Sequence, residues 1–517
     1  MELAPAAGLP RWKGVGHLMP RMVSRSVVLG LTLLGLAEGV RAQDSVRTRA
    51  TLQQQLDAWF KTASKRAPGT WGVAVGDPQG RLVWGLDPTR PMIPASTVKL
   101  LTTGFARSVL GGDARKSTRV LGAGQLDPES GTWNGVWQLE LNGDPTLEHR
   151  GQDATGLDEL ATQLAARGIR RLTGPLAVTS SEGTPDASFP TSWSVRHRGR
   201  PFAPLVGNLT IHDNLVAVTV APNARIGRPV TITGAAPRGA DHLFVVKAKT
   251  VKGRRSRLRI EPQPNGSYLI AGTLGNRARA RTITRAATDV RVLLESAWKT
   301  ALDDAGIEWL PAGGLGTRTA TPLVLAEVRS PVFDSIASEV NRRSLNLGAE
   351  LLLHWAAGTD QIPADRLTAH VQQITGDFAG VKLVDGSGLS DQNRVSPWTF
   401  VSYLARFPLA PGGRNFPMLL PANGSGTLWT LASGLPERGV VRAKTGTLGN
   451  VASLVGYLGR PDGVLLVSVI YNGTRVRSAR KAQWELFRTL GADGVVIPAD
   501  SLDSESLGSE EEPPPAR

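Results

Sequence analysis

The 517-residue chain has no cysteine. This removes disulfides, thiolate metal sites, a lipidated thiol and thiol nucleophiles together. Its N-terminal apolar stretch, from about Val27 to Leu36, is shorter than the ~20 residues that cross a bilayer. The seven histidines show no metal-ligand spacing, and no Gly-x-Ser-x-Gly sequence occurs. Zinc hydrolase and Ser-His-Asp triad chemistries therefore have little support. No internal repeat stands out.

At this length, with 41% hydrophobic and 20% charged residues, two or three domains are expected, since single domains usually run ~100–200 residues. The formal net charge of +15 favours an anionic partner: nucleic acid, a membrane surface or a cell-wall polymer. Arg21 and Arg25 precede the apolar stretch, and Val40-Arg41-Ala42 provides a cleavage site. Residues 1–42 thus read as a secretory signal peptide. At the other end, residues 496–517 are rich in Ser, Glu and Pro and read as a disordered acidic tail.

Three short motifs stand in order: Ser96-Thr97-Val98-Lys99, Ser344-Leu345-Asn346 and Lys444-Thr445-Gly446. The Ser-x-x-Lys spacing recurs at Ser296 and Ser478 and proves nothing alone. Only Ser96 is followed by the chain's single Ser-x-Asn and single Lys-Thr-Gly. That conjunction is the signature of an acyl-transferring serine enzyme with a lysine base.

The alternation of apolar residues predicts strands at 71–75 and 82–84, and a helix from Ser96 through Leu110. Two further strands are predicted at 451–457 and 464–471, then a basic helix over 476–490. Both ends of the mature chain therefore read as parts of one α/β layer, with a helix also expected over 50–64. Ser344 stands 248 positions after Ser96, and in that interval apolar segments near 136–141, 215–220, 230–232, 243–246 and 258–260 suggest a β-rich insertion of one or two domains. The expected division is a catalytic domain in two parts, 43–118 and 326–495, around an insertion at 119–325. Within the insertion, Arg196, Arg198, Arg200, Lys247, Lys249, Lys252, Arg254, Arg255, Arg257 and Arg259 form the most positive stretch. It reads first as a solvated strand face, with a polymer-binding surface as the alternative.

Helix positions i and i+3 share a face, so a helix opening at Ser96 brings the Lys99 amine to the Ser96 hydroxyl. A lysine serves as base only when neutral, and Lys444 is the expected neighbour whose charge, with partial burial, drives the proton off. Ser344 and Asn346, two apart in an extended loop, would line one wall of a cleft, with Ser344 relaying a proton to the departing amine. Gly446 would let backbone approach the substrate, and Lys444 with Thr445 suits a carboxylate.

Pro94-Ala95-Ser96-Thr97-Val98-Lys99, Gly143-Asp144-Pro145-Thr146-Leu147, Asp385-Gly386-Ser387-Gly388-Leu389-Ser390, Met418-Leu419-Leu420-Pro421 and Ala443-Lys444-Thr445-Gly446 resemble the low-molecular-mass class C penicillin-binding proteins. These are serine D-alanyl-D-alanine carboxypeptidases and endopeptidases, and the likeness runs from about residue 50 to 490. The resemblance implies a three-layer α/β transpeptidase/β-lactamase-like domain split by the insertion. It implies catalytic roles for Ser96, Lys99, Ser344, Asn346 and Lys444, and substrate binding by Thr445, Gly446 and Thr447. The N–H groups of Ser96 and Thr447 would form the oxyanion hole, and Asp144 and Arg394 would approach the stem-peptide side chain. It further implies peptidoglycan stem peptides as substrates, β-lactams as covalent inhibitors, no metal or other cofactor and no nucleic-acid partner. A periplasmic or outer-envelope location, with peripheral envelope association, is expected. A serine β-lactamase is the competing enzyme reading, although Glu350 and Glu437 lack the Leu-Asn pattern expected of its deacylating glutamate. A non-catalytic wall-binding protein of the same fold is the other alternative.

Overall fold

Two distant stretches of the chain build one sheet. The computed structural model describes residues 51–149, 155–312, 321–359 and 362–497. The signal-peptide reading of residues 1–42 and nearly all of the acidic tail lie outside the described residues. Residues 51–66 are helical. Thr70–Gly76 then pairs antiparallel with Leu82–Leu86 on one side and with Gly463–Asn472 on the other. Gly463–Asn472 continues to Val451–Arg460, which pairs with the edge strand Val441–Leu448.

The two central C-terminal strands are buried at nearly every position, as near-continuous apolar runs require when both faces of a sheet are covered. Val455, Tyr457, Leu466, Ile470 and Ala74 face one core, which they share with Leu100, Leu101 and Phe105 of helix Val98–Leu110 and Phe400 and Leu404 of helix Pro397–Arg406. The latter helix begins where Ser396 accepts from the Thr399 N–H at 3.0 Å, with Pro397 in the first turn, a local start signal that the sequence carries openly. On the opposite face runs helix Val476–Gly491, whose Gln483 amide donates to the carbonyls of Ala452 and Val469.

The interval between the first two motifs has its own core. One of its sheets runs Leu323–Arg329, Ser117–Leu126, Trp133–Glu140, Ala177–Thr179. A second joins Arg281–Ala286, Leu215–Ala221 and Thr231–Ala236. In a third, Tyr268–Gly275 lies between Ser256–Pro262 and Lys249–Val251 and also pairs with Phe244–Val246. The region is less purely β than its sequence suggested. Helices Leu157–Ala166 and Val290–Asp304 pack Leu160, Leu164, Leu294 and Trp298 onto Trp137 and Leu139. Asp289 caps the second helix by accepting from the N–H groups of Arg291 and Val292. The basic stretch also divides: Arg196 and its neighbours lie in a loop region, whereas Lys249, Arg257 and Arg259 lie on the third sheet.

Trp298 is fully buried in this second core. Its replacement by alanine leaves a large cavity and should cost about 3–5 kcal/mol. Calorimetry of the Trp298→Ala protein should show the corresponding transition shifted to lower temperature; an unchanged thermogram would mean that Trp298 contributes little to this core.

Candidate active site

Ser96 sits in a single 3-10 turn, Ala95–Thr97, that leads directly into helix Val98–Leu110. The turn is strained: Ala95 has a φ of 51°, a left-handed conformation that L-residues seldom adopt. It is held from several sides. The hydroxyls of Thr97 and Ser453 both donate to the Pro94 carbonyl, at 2.7 and 2.5 Å. A Cβ at Gly388 would stand 2.0 Å from the Ala95 carbonyl oxygen, and one at Gly446 would stand 2.3 Å from Ser453 Oγ and 2.7 Å from the Pro94 oxygen. Gly446 is thus required by close packing of the edge strand against the turn that carries Ser96. The sequence reading had assigned its bareness to the substrate.

One helical turn on, Lys99 is fully buried. Its Nζ donates to Ser96 Oγ at 3.0 Å, to Asn346 Oδ1 at 2.6 Å and to the Ser387 carbonyl at 2.6 Å. Burial lowers its pKa to about 7, against the opposing pull of the Asp385 and Glu350 carboxylates. Desolvation is therefore the leading cause, where the sequence had pointed first to the charge of Lys444. A base with that pKa is neutral for much of the time near neutral pH.

Ser344 and Asn346 are not in an extended loop. Ser344 ends helix Phe333–Arg343 in a left-handed conformation with φ 60°, and Asn346 opens helix Asn346–Ala357. The corner sends the two side chains to different lysines. Lys444 Nζ donates to Ser344 Oγ at 2.9 Å, while Asn346 accepts from Lys99 and donates through Nδ2 to the Phe202 carbonyl at 2.6 Å. Phe202 lies in the interval between the first two motifs, where Trp193, Ala203 and Val206 pack on Leu347, Leu351 and Leu389. That interval thereby forms part of the wall beside Asn346.

Lys444 is also fully buried, and its Nζ makes a second bond to the Thr445 carbonyl at 2.8 Å. Burial, then the charges of Lys99 and Arg480, hold its pKa well below that of an ordinary lysine. Along this strand Val440 accepts from the Gly459 N–H, whereas the Ala443 N–H turns outward to the Pro421 carbonyl. Antiparallel alternation then directs the Gly446 carbonyl inward and the Thr447 N–H to the open edge of the sheet. Under the strand lies Arg480, which donates to the Gly446 carbonyl at 2.6 Å, to Thr447 Oγ1 at 3.1 Å and to the Ser453 carbonyl at 2.8 Å. Burial lowers its guanidinium pKa to about 9.

The other two named residues are not gathered around Lys99. Asp144 is buried, with one carboxylate oxygen accepting from the N–H and hydroxyl of Thr146 and the other from the Thr155 hydroxyl. Arg394 lies on a two-residue strand and turns its guanidinium to the carbonyls of Asp391 and Asn393.

Four residues at the site carried no assigned role in the sequence: Glu350, Asp385, Ser387 and Arg480. Asp385 accepts from the N–H groups of Gly388 and Ser390 and from Asn393, while Glu350 accepts from those of Gly386 and Ser387. Together the two carboxylates hold the loop whose Ser387 carbonyl meets Lys99. Burial raises the pKa of each, and for Glu350 the facing Asp385 charge adds to it. The Asp385–Ser390 block was visible in the sequence, but its contact with Lys99 was not. Arg480 gave no signal among its neighbouring basic residues.

The sequence profile of the D-Ala-D-Ala carboxypeptidase 3 (S13) family matches residues 52–490. A D-alanyl-D-alanine carboxypeptidase from an Actinomadura species is 29% identical over 469 residues, covering 86% of this chain and 85% of its own. The D-alanyl-D-alanine carboxypeptidase DacB of Haemophilus influenzae is 24% identical over 380 residues, covering 71% and 77%. The crystal structure of penicillin binding protein 4 from Haemophilus influenzae shares the fold, with a TM-score of 0.67 at 22% identity over 83% of this chain and 99% of that one. The same protein complexed with a β-lactam gives a TM-score of 0.63. Since the family profile spans nearly the whole described chain, from the first helix to the last, the protein belongs to the D-Ala-D-Ala carboxypeptidase 3 (S13) family and is a serine-type D-alanyl-D-alanine carboxypeptidase.

Proposed function

We propose that Ser96 is the nucleophile and Lys99 its base, in an enzyme that trims or opens peptidoglycan stem peptides. The observation that carries this reading is the buried Lys99 amine at 3.0 Å from Ser96 Oγ, lowered to about 7. Neutral Lys99 accepts the hydroxyl proton as Ser96 Oγ attacks the carbonyl carbon of the D-Ala-D-Ala bond. The negative charge that develops on the carbonyl oxygen is met by the N–H groups of Ser96 and Thr447. The C–N bond then breaks as Ser344 hands its hydroxyl proton to the departing amine and regains one from Lys444; the proton that Lys99 took from Ser96 passes through water in the cleft to restore Lys444, which leaves Lys99 neutral. Water then attacks the acyl carbonyl carbon as neutral Lys99 takes its proton, the acyl bond to Ser96 Oγ breaks, and Lys99 returns that proton to Ser96 Oγ, releasing the shortened peptide.

Asn346 orients the Lys99 amine, and Lys444 with Thr445 receives the substrate's terminal carboxylate. An arriving carboxylate also favours the charged form of Lys444 that burial disfavours, so binding and charging are coupled. Asp144 and Arg394 are assigned to the stem-peptide side chain on the resemblance alone, since neither contacts the two lysines. β-Lactams are read as acylating agents of Ser96, and the chain as exported to the periplasm or outer envelope. The division into a split catalytic domain and an inserted segment belongs to the same proposal, supported by the two hydrophobic cores. The β-lactamase reading is not favoured, because Glu350 is committed to the N–H groups of Gly386 and Ser387.

Labelled penicillin should attach to Ser96 and not to the Ser96→Ala protein, and the adduct should persist. Label at Ser296 or Ser478, or rapid turnover of penicillin, would sink the assignment. Digestion of sacculi and of a defined pentapeptide, with products separated by mass, tells trimming from cross-link cleavage.

Acylation should rise with pH through about 7 as Lys99 loses its proton, because the neutral amine is the reactive form. Lys99→Arg keeps a charge that is not given up and should nearly abolish acylation. Near-normal acylation by Lys99→Arg, with an unchanged pH profile, would exclude Lys99 as the base.

The Gly446 carbonyl and the Thr447 N–H are two ends of one peptide unit. An arginine donating to the carbonyl polarises that unit and strengthens the N–H as an oxyanion donor. Arg480→Gln should therefore slow acylation by about ten- to a hundredfold, below the full effect of deleting a donor. Stopped-flow acylation separates this from the initial binding constant, and a fall in binding alone would contradict it.

A further inference from the structure

Far from the three motifs in sequence, Arg254, Arg277, Arg279 and Arg281 line a cavity of about 600 Å³ together with Ala278 and Ala280. Among the described residues, none of the four arginines has a carboxylate partner. From Lys247 to Arg281 there are ten basic residues and one acid, Glu261, and Glu261 is already paired with Arg259 at 3.1 Å. Guanidinium groups keep their charge at every physiological pH. All four are exposed, so water screens their mutual repulsion, but together they make a local positive potential that attracts an anion.

The frame that presents them is locked. The Gly253 carbonyl accepts from the Arg277 N–H, the Val251 carbonyl from Asn276, and the Arg255 carbonyl from Gly275, while Asn276 Oδ1 accepts from the Gly253 N–H. The two loops also touch closely: a Cβ at Gly275 would stand 2.3 Å from the Gly253 oxygen. Arg281 opens the strand that pairs with Val220. The arginines therefore radiate from two hydrogen-bonded turns and a strand end.

Planar guanidinium forks match the oxygens of phosphate and of carboxylate, and several of them gathered on one surface suit a polymer that carries a charge at every repeat. We propose that this arginine cavity binds the phosphate groups of a polyanionic cell-wall polymer and so retains the enzyme beside its substrate. The choice of a phosphate-bearing wall polymer rests on the proposed export and peptidoglycan activity; the preference for an oxyanion rests on the arginines alone.

The test is retention of the full Ser96→Ala chain, which cannot turn over substrate, on sacculi carrying phosphodiester polymer and on the same sacculi stripped of it by hydrofluoric acid. Untreated sacculi should retain the protein and release it as salt rises, and stripped sacculi should not. The combined R277Q/R279Q/R281Q changes should reduce retention at least about tenfold, and a single R279E change should reduce it in the same direction. In the Ser96 parent, the same arginine variants should label with penicillin at the unaltered rate, which checks their folding and reads the catalytic proposal separately. Equal retention on stripped sacculi, undiminished retention of the arginine variants, or equally tight binding to anionic vesicles or duplex nucleic acid would overturn the proposal.

Discussion

An amine serves as a base near neutral pH only if its charged form is made unfavourable, and here that is done by keeping Lys99 from water. Much of the site's architecture follows from this constraint. A fully buried lysine must still satisfy its hydrogen-bonding capacity, and three acceptors close around Nζ: a hydroxyl, an amide oxygen and a backbone carbonyl. Each comes from a different part of the chain. The Ser387 carbonyl is in place because Asp385 and Glu350 hold its loop through backbone N–H groups, and the same carboxylates limit how far the lysine's pKa falls.

The strained turn at Ala95 shows how the hydroxyl is presented to that amine. Its conformation is unfavourable by itself, and it persists because Gly388, Gly446 and Ser453 crowd it from neighbouring segments. The edge strand therefore has two duties. It braces the Ser96 turn through Gly446, and it exposes the next N–H, at Thr447, along the open edge. Arg480 ties the two together from below by bonding to both residues.

The inserted region meets this machinery at Asn346, through the Phe202 carbonyl and the small apolar cluster around Trp193. Its arginine cavity lies on another part of the insertion, framed by the turns at Gly253 and Asn276. The interval between the first two motifs thus packs beside Asn346 with one segment and carries a charged concavity on another. This gives the long interval between the first two motifs a physical content beyond that of a spacer.

The sequence by itself determined whatever depends on neighbours along the chain. The pairing of Ser96 with Lys99 is a matter of helical spacing, and the strands around residues 70–76, 451–460 and 463–472 follow from apolar runs bounded by turns. The order of three motifs was enough to indicate the chemistry. The tertiary structure alone decided that Ser344 and Asn346 serve different lysines, since the left-handed corner at Ser344 has no sequence signature there. It also decided that Gly446 is bare for the sake of the Pro94–Ser96 turn, and that desolvation leads in lowering the Lys99 pKa. The partnership of Glu350 and Asp385, and the place of Arg480 under the edge strand, depend on contacts between segments tens to hundreds of residues apart. Burial and hydrogen bonding of that kind arise only when those segments pack, so no local pattern announces them.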